Sequence, residues 1–120
     1  MPHYFPRSQR IADLLKKEMA VLLVEGIKDP MVAGLVTVMK VNVSRDLRNA
    51  KIFFSVLGDE KERNRVMAGL ERAKGFIKRE LAHRMNLKHM PELTFRLDHS
   101  LDAREEIEKL LARTDTAKEV

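Results

Sequence analysis

Apolar residues recur at steps of three and four near the start of the chain, between Ser8 and Glu25. This spacing places them on one face of a helix, and such a face is normally buried. Ser8 is positioned to cap the first turn after Pro6, and Gly26 is positioned to end the helix. We therefore predict a first helix over residues 8–25. Its buried stripe consists of Ile11, Leu14, Leu15, Met19, Leu22 and Leu23.

Two segments with alternating apolar and polar residues come next, and alternation of this kind predicts strands. In residues 35–43, Lys40 and Asn42 should face away from the core, and the inward positions are Leu35, Met39, Val41 and Val43. In the second segment Lys51, Phe53 and Ser55 should face outward, and the inward positions are Ala50, Ile52, Phe54 and Val56. Residues 44–49 between them are polar and turn-prone, which predicts an antiparallel hairpin.

A longer helical stripe begins after Asp59, which with Glu62 has the spacing of a capping box. Its apolar positions are Val66, Leu70, Ala73, Ile77, Leu81 and Met85. Gly75 falls near the middle, where glycine costs ~1 kcal/mol relative to alanine unless it serves a bend or a close approach. We therefore predict two helices, or one broken helix, with a kink at Ala73-Lys74-Gly75.

A third strand is predicted after Pro91, because Leu93, Phe95 and Leu97 alternate with polar residues over residues 92–98. Asp102 with Glu105 could cap a short final helix, and the polar end after it is expected to fray. The predicted order is α-β-β-α-kink-α-β, an α+β fold with helices packed on one face of a three-stranded sheet. We expect one domain over residues 1–100 and an acidic tail over 101–120.

Composition excludes several classes of protein. The chain has no cysteine, so disulfides and thiolate zinc sites are excluded, and a reducing cytoplasm is the expected location. Its longest apolar run is six residues, Met19 to Val24, whereas a membrane-spanning helix needs about 20. The amino-terminal segment also lacks the apolar stretch of a secretory signal. We therefore expect no membrane partner and no export.

Charge divides the chain unevenly. Residues 1–97 hold 19 Lys and Arg against 11 Asp and Glu, a net charge of +8. Residues 98–120 hold 4 against 7, a net charge of −3. A basic body favours a polyanionic partner, because each neutralised phosphate releases condensed counterions. A merely solvated basic surface explains the same composition, and charge alone leaves both interpretations open.

Basic residues cluster most densely around the predicted kink. Within residues 72–88 only Glu80 opposes the cations Arg72, Lys74, Lys78, Arg79, Arg84 and Lys88. A second group lies at the start of the first helix and around the hairpin turn: Arg7, Arg10, Arg45, Arg48 and Lys51. We predict that both groups contact RNA phosphates, although for each member of the second group taken singly surface solubility is the better explanation. Phe53, on the outer sheet face, could cover the sheet or stack on a base.

Catalytic chemistry is not indicated. Asp98, His99 and Ser100 are the residue types of a hydrolase triad, but consecutive residues of an extended segment project to opposite sides. His83 and His89 have no cysteine or carboxylate at ligand spacing between them, so a zinc site is not expected. The sequence also lacks a phosphate-cradling glycine loop. We therefore predict no enzyme activity, no metal, no cofactor and no small-molecule substrate.

Several segments in this order resemble the ribosome-binding factor A family, over roughly residues 4–100. They are Arg7-x-x-Arg10, Ile27-Lys28-Asp29-Pro30, Val43-Ser44-Arg45-Asp46-Leu47 before Ala50-Lys51, Ala73-x-Gly75-Phe76-Ile77, and Pro91-Glu92-Leu93-Thr94-Phe95 followed by Asp98 and Ser100. The resemblance implies a type II K-homology-like fold, in which an Ala-x-Gly kink replaces the usual Gly-x-x-Gly loop. Ala73-Lys74-Gly75 matches that kink.

The resemblance also implies a function. It is that of a bacterial cytoplasmic factor that binds the free 30S small ribosomal subunit and its 16S rRNA. Such a factor assists late maturation and 5′-end rRNA processing and supports growth in the cold, without catalytic residues. A monomer is expected, since the sequence has no coiled-coil seam. A general RNA chaperone or DNA-binding domain using the same basic face is the alternative, and a nuclease is disfavoured by the lack of paired acids.

Overall fold

The computed structural model describes residues 6–27 and 36–98. Six elements follow in the order α1 (Arg7–Glu25), β1 (Val36–Val43), β2 (Asn49–Val56), α2 (Glu60–Arg72), α3 (Lys74–Met85) and β3 (Glu92–Leu97). This order confirms the predicted α+β arrangement, including the hairpin and the division of the long helical stripe. The start of the first predicted strand at Leu35, the Asp98-His99-Ser100 triplet beyond its first residue, and the predicted tail helix lie outside the described residues.

The sheet has the strand order β1-β2-β3. β2 lies at the centre and pairs antiparallel with β1 and parallel with β3. The parallel pairing requires a crossover connection, which α2 and α3 provide. Every predicted inward residue of β2 is buried, from Ala50 to Val56, while the residues between them are exposed or half-buried. All three helices therefore pack against the sheet face that carries these side chains, as predicted.

The core is centred on the middle strand. Phe54 is completely buried, and its ring meets that of Phe95 edge to face, with the two centroids 5.3 Å apart. The helices contribute fully buried side chains to the same core, among them Leu15, Leu70 and Leu81. The helical stripes predicted from the sequence therefore do form the buried faces of α1, α2 and α3.

The predicted alternation in β1 is wrong at its midpoint, because the strand contains a bulge. Val38 and Lys40 pair with successive residues of β2, so Met39 is an extra residue without a partner. The bulge exchanges the two faces of the strand. Val38 is therefore buried together with Val41, whereas Met39 is only half-buried. A strict period of two cannot anticipate an inserted residue, since the insertion is defined by pairing with another strand.

The predicted cap of the first helix is also wrong. α1 begins at Arg7, its N-cap is Pro6, and no side chain caps it. The backbone amides of Gln9 and Arg10 instead donate to the Pro6 carbonyl, at 3.0 and 3.2 Å. The helix ends before Gly26, as expected.

Candidate nucleic-acid interface

The predicted kink is present, and its breaking residue is Ala73. Ala73 separates α2 from α3 with φ −86° and ψ 3°. Its backbone amide donates to the Gly69 carbonyl, and the Ile77 amide donates to the Ala73 carbonyl, both at 2.9 Å. Gly75 is the second residue of α3, and a Cβ there would lie 3.8 Å from the Arg79 guanidinium, an ordinary contact. Packing within the described structure therefore does not require glycine at this position.

Two of the predicted RNA-binding lysines are engaged in ion pairs with acidic residues. The Lys74 ammonium lies 2.6 Å from a Glu71 carboxylate oxygen and 5.1 Å from the centroid of the Phe95 ring. The Lys78 ammonium lies 3.3 Å from Glu92 at the start of β3. These contacts tie α3 to α2 and to β3. Both lysines consequently carry structural contacts in addition to any they make with RNA.

Arg84 is paired with a carboxylate that is distant in sequence. Its guanidinium donates to both carboxylate oxygens of Glu25, the last residue of α1, and lies 3.9 Å from Glu80. Its Nε atom is buried without a hydrogen-bond partner. Donation by Arg84 holds the pKa of the Glu25 carboxyl below its ordinary value. Within residues 72–88 Glu80 is the only acidic residue, but the fold brings Glu25 to the same cation.

Glu25→Gln is expected to make the free energy of unfolding less dependent on pH in the acidic range. Because the pKa of Glu25 is lowered in the folded state, its ionisation stabilises the fold above the pKa of the unfolded chain. That contribution is lost as pH falls through the lowered value. Urea unfolding should therefore show wild type more stable than Glu25→Gln at neutral pH, with the difference vanishing in strong acid.

Glu18→Gln is the matched control, since the Glu18 charge acts on Arg84 only through the weaker coulombic contribution. Its difference from wild type should be smaller at neutral pH. A Glu25→Gln difference that grew on acidification would contradict the ion pair.

A second feature of α3 is an exposed strip that the sequence analysis did not identify. Phe76 is 39% exposed, and it shares a helix face with Arg79 and His83, three and seven residues further on. Arg79 has no ion pair within residues 6–27 and 36–98. The only sequence signal was that Phe76 directly precedes the buried Ile77, which turns its ring partly away from the core. An aromatic ring beside a cation is a surface on which nucleic-acid bases stack.

The fold gathers three other predicted cations around one cavity. Arg7 opens α1, Arg48 lies in the hairpin turn and Lys88 follows α3, and together with His89 they line a pocket of about 480 Å³. Within residues 6–27 and 36–98, Asp46 is the one carboxylate that lines it. The apolar lining consists of Ile11, Leu47, Leu87, Met90 and Pro91. We call this cavity the turn pocket. Lys88, which the sequence groups with the kink, thus belongs with the turn.

Three other predicted cations do not line the turn pocket. Arg10, Arg45 and Lys51 are exposed, and none of them lines the cavity. Lys51 projects from the outer face of the sheet, between its pairing partners Asn42 and Thr94. The turn pocket takes members from both predicted basic groups, namely Arg7 and Arg48 from one and Lys88 from the other.

The outer sheet face carries a row of residues that sequence analysis identified only in part. Phe53 pairs with Lys40 on one side and with Arg96 on the other. The Lys40 ammonium lies 4.8 Å from the centroid of the Phe53 ring. The row forms only when three strands are aligned, which is why Arg96 could not be assigned to it from local sequence. Lys40 partly covers the ring that was considered for base stacking.

Two broader observations apply to residues 6–27 and 36–98. No group of three His, Asp or Glu side chains in these ranges is arranged to hold a metal ion. None of the helices there combines the length and apolar character needed to cross a bilayer.

Comparison with known proteins gives consistent matches. A sequence model described as Ribosome-binding factor A matches residues 7–111. Ribosome-binding factor A of Macrococcus caseolyticus is 45% identical over 112 residues, covering 93% of this chain and 97% of that protein. The crystal structure of ribosome-binding factor A from Thermus thermophilus superposes with a TM-score of 0.65 at 22% identity, covering 78% of this chain and 97% of that one.

A third match is a homology model of Thermus thermophilus ribosome binding factor A, fitted into a cryo-EM map of its complex with the 30S subunit. It has a TM-score of 0.56 at 22% identity and covers 78% of this chain and 92% of that one. The structural matches confirm the K-homology-like α+β fold. The sequence match over residues 7–111 and the relative that is 45% identical over 93% of the chain establish that this chain belongs to the ribosome-binding factor A family.

Proposed function

We propose that this protein binds the free 30S ribosomal subunit through its 16S rRNA and assists the last steps of subunit maturation. The observation that carries the proposal is the family match over residues 7–111, with a relative 45% identical over 93% of the chain. The proposed role includes 5′-end processing of the rRNA and growth in the cold. The protein acts in the cytoplasm as a monomer, and it has no catalytic step of its own.

Binding energy is the proposed mechanism. Many phosphate contacts from a preformed surface stabilise one conformation of an immature RNA junction, because only that conformation brings all the phosphates to the cations. Of the predicted cations that have no ion pair within residues 6–27 and 36–98, four are the best placed for this task. They are Arg79, which lies beside Phe76 on α3, and Arg7, Arg48 and Lys88, which line the turn pocket.

Co-sedimentation with ribosomal particles tests the proposal. Wild-type protein is expected to migrate with free 30S subunits on a low-salt sucrose gradient, and Arg79→Glu should weaken this association. Lys16→Glu is the matched control, because Lys16 is an exposed cation of α1 outside the predicted interface. Reversal of Lys74 and Lys78 is less informative, since the new carboxylates would face Glu71 and Glu92 and disturb the fold.

Three results would reject the proposal. The protein could migrate free of subunits, or it could prefer translating ribosomes. It could also bind unrelated duplexes as tightly as the subunit RNA at matched salt, which is the behaviour of a general RNA chaperone or DNA-binding domain. Metal-dependent cleavage of precursor rRNA by the purified protein would overturn the non-catalytic mechanism.

A further inference from the structure

The turn pocket contains a residue held in an unfavourable backbone conformation. Leu47 has φ 63°, in the left-handed region that bulky side chains rarely adopt. Its amide donates to the Ser44 carbonyl at 2.9 Å. Asp46 Oδ1 accepts from the Ser44 hydroxyl at 2.6 Å and from the Arg48 amide at 3.0 Å. These bonds hold the turn so that the half-buried Leu47 lines the pocket.

The turn is also attached to the opposite wall of the pocket. The Arg48 carbonyl accepts from the Glu92 amide at 2.8 Å, where the chain enters β3 immediately after Pro91. Pro91 is buried and lines the same cavity. The two walls are therefore joined through the sheet ladder. A cavity built this way exists before a ligand arrives, which reduces the entropic cost of binding.

The lining of the pocket combines two chemical characters. Among residues 6–27 and 36–98, five apolar side chains line the cavity, and the charged residues beside them are Arg7, Arg48, Lys88 and Asp46. One carboxylate oxygen of Asp46, Oδ1, already accepts two hydrogen bonds within the turn. A nucleotide complements this lining, because the faces of its base are apolar and can contact the apolar side chains, and its phosphate is an anion that can contact the cations. A volume of about 480 Å³ lies within the range of pockets that enclose small ligands.

We propose that the turn pocket holds one unstacked nucleotide of the bound RNA. The base lies against the apolar lining beside Leu47, and the adjoining phosphates contact Arg7, Arg48 and Lys88. This inference rests on the proposed binding to rRNA. It adds a site that recognises an unpaired nucleotide, which phosphate contacts alone would not recognise. Sequence-tolerant recognition is expected, because apolar contact with a base face does not distinguish bases.

Two RNA hairpins that differ only in one bulged nucleotide test the inference. Wild-type protein should bind the bulged hairpin about tenfold more tightly, measured by fluorescence anisotropy at one salt concentration, because the base would bury apolar surface against the lining of the pocket. Leu47→Gly should reduce this preference to about twofold or less. The same variant should fold normally by circular dichroism, because glycine adopts a positive φ without strain.

Asn86→Gly is the matched control. Asn86 also has a positive φ, 52°, but it is the C-cap of α3 and does not line the pocket. This variant should keep the wild-type preference for the bulged hairpin. Preservation of the preference in folded Leu47→Gly would overturn the inference.

The wild-type measurement separates this inference from the proposed function. Equal binding of both hairpins would overturn the nucleotide pocket, and rRNA binding would still stand if the protein co-sedimented with 30S subunits. Binding of neither hairpin, together with failure to co-sediment with 30S subunits, would overturn both. If Leu47→Gly lost the 30S subunit but kept its preference between hairpins, the pocket would contact a protein, and the inference would be wrong.

Discussion

Phe54→Ala is expected to lower the free energy of unfolding by about 3–5 kcal/mol. Phe54 is completely buried at the centre of the middle strand, and its ring packs edge to face against Phe95. Truncation removes the aromatic pair and leaves a cavity that the surrounding sheet and helices fill only partly. Domains of this size have a total stability of about 5–15 kcal/mol, so the variant should be close to unfolding. Urea denaturation followed by circular dichroism measures the loss.

The neighbouring phenylalanine provides the control. Phe53 projects from the opposite sheet face, is half-buried, and carries the Lys40 ammonium over its ring. Phe53→Ala should cost about 1 kcal/mol, because less surface and one exposed cation–π contact are lost. Equal losses at the two positions would mean that the outer sheet face is as well covered as the inner one.

Affinity for RNA is expected to fall by about 10³ when monovalent salt rises from about 50 mM to about 200 mM. The estimate assumes about six phosphate contacts, each of which releases counterions. Seven of the predicted cations have no ion pair within residues 6–27 and 36–98: Arg7, Arg10, Arg45, Arg48, Lys51, Arg79 and Lys88. Anisotropy titrations across a salt series give the slope of log K against log salt.

Single substitutions resolve this slope into contacts. Arg79→Gln should reduce the slope by about 1, as expected when one phosphate contact is lost. Lys16→Gln should leave it unchanged. A wild-type affinity that is insensitive to salt would contradict binding through phosphate contacts. It would mean that apolar contacts, such as those of the turn pocket, contribute most of the affinity.

The helices and strands show what local sequence can and cannot predict. The stripes of α1, α2 and α3 and the alternation of β2 were correct, because a helix or strand that packs on one side needs a fixed period of apolar residues. The bulge at Met39 was not predictable, since it depends on which β2 residues stand opposite. The start of α1 at Arg7 escaped prediction because a proline carbonyl and a Ser8 side chain are competing ways to begin a helix.

The same contrast between local and long-range information applies to the cations of the candidate interface. Their identities and a kink within Ala73-Lys74-Gly75 follow from the sequence, whereas the structure shows that Ala73 is the residue that separates the two helices. The partners of these cations do not follow from the sequence, because coulombic and hydrogen-bonding energies depend on distances between segments that only folding brings together. Arg84 is thereby joined to Glu25, and Lys78 to Glu92.

The element order, the buried faces and the basic character of the body can be read from the sequence, since each is a property of local pattern or of counting. Which cations pair with carboxylates and which surround a cavity depends on the folded arrangement of distant segments. Arg7, Arg48 and Lys88 come from three separate segments, and the pairing of β2 with β3 brings them to one pocket. A site of this kind has no sequence signature, because its residues become neighbours only when the strands pair and the helices pack on them.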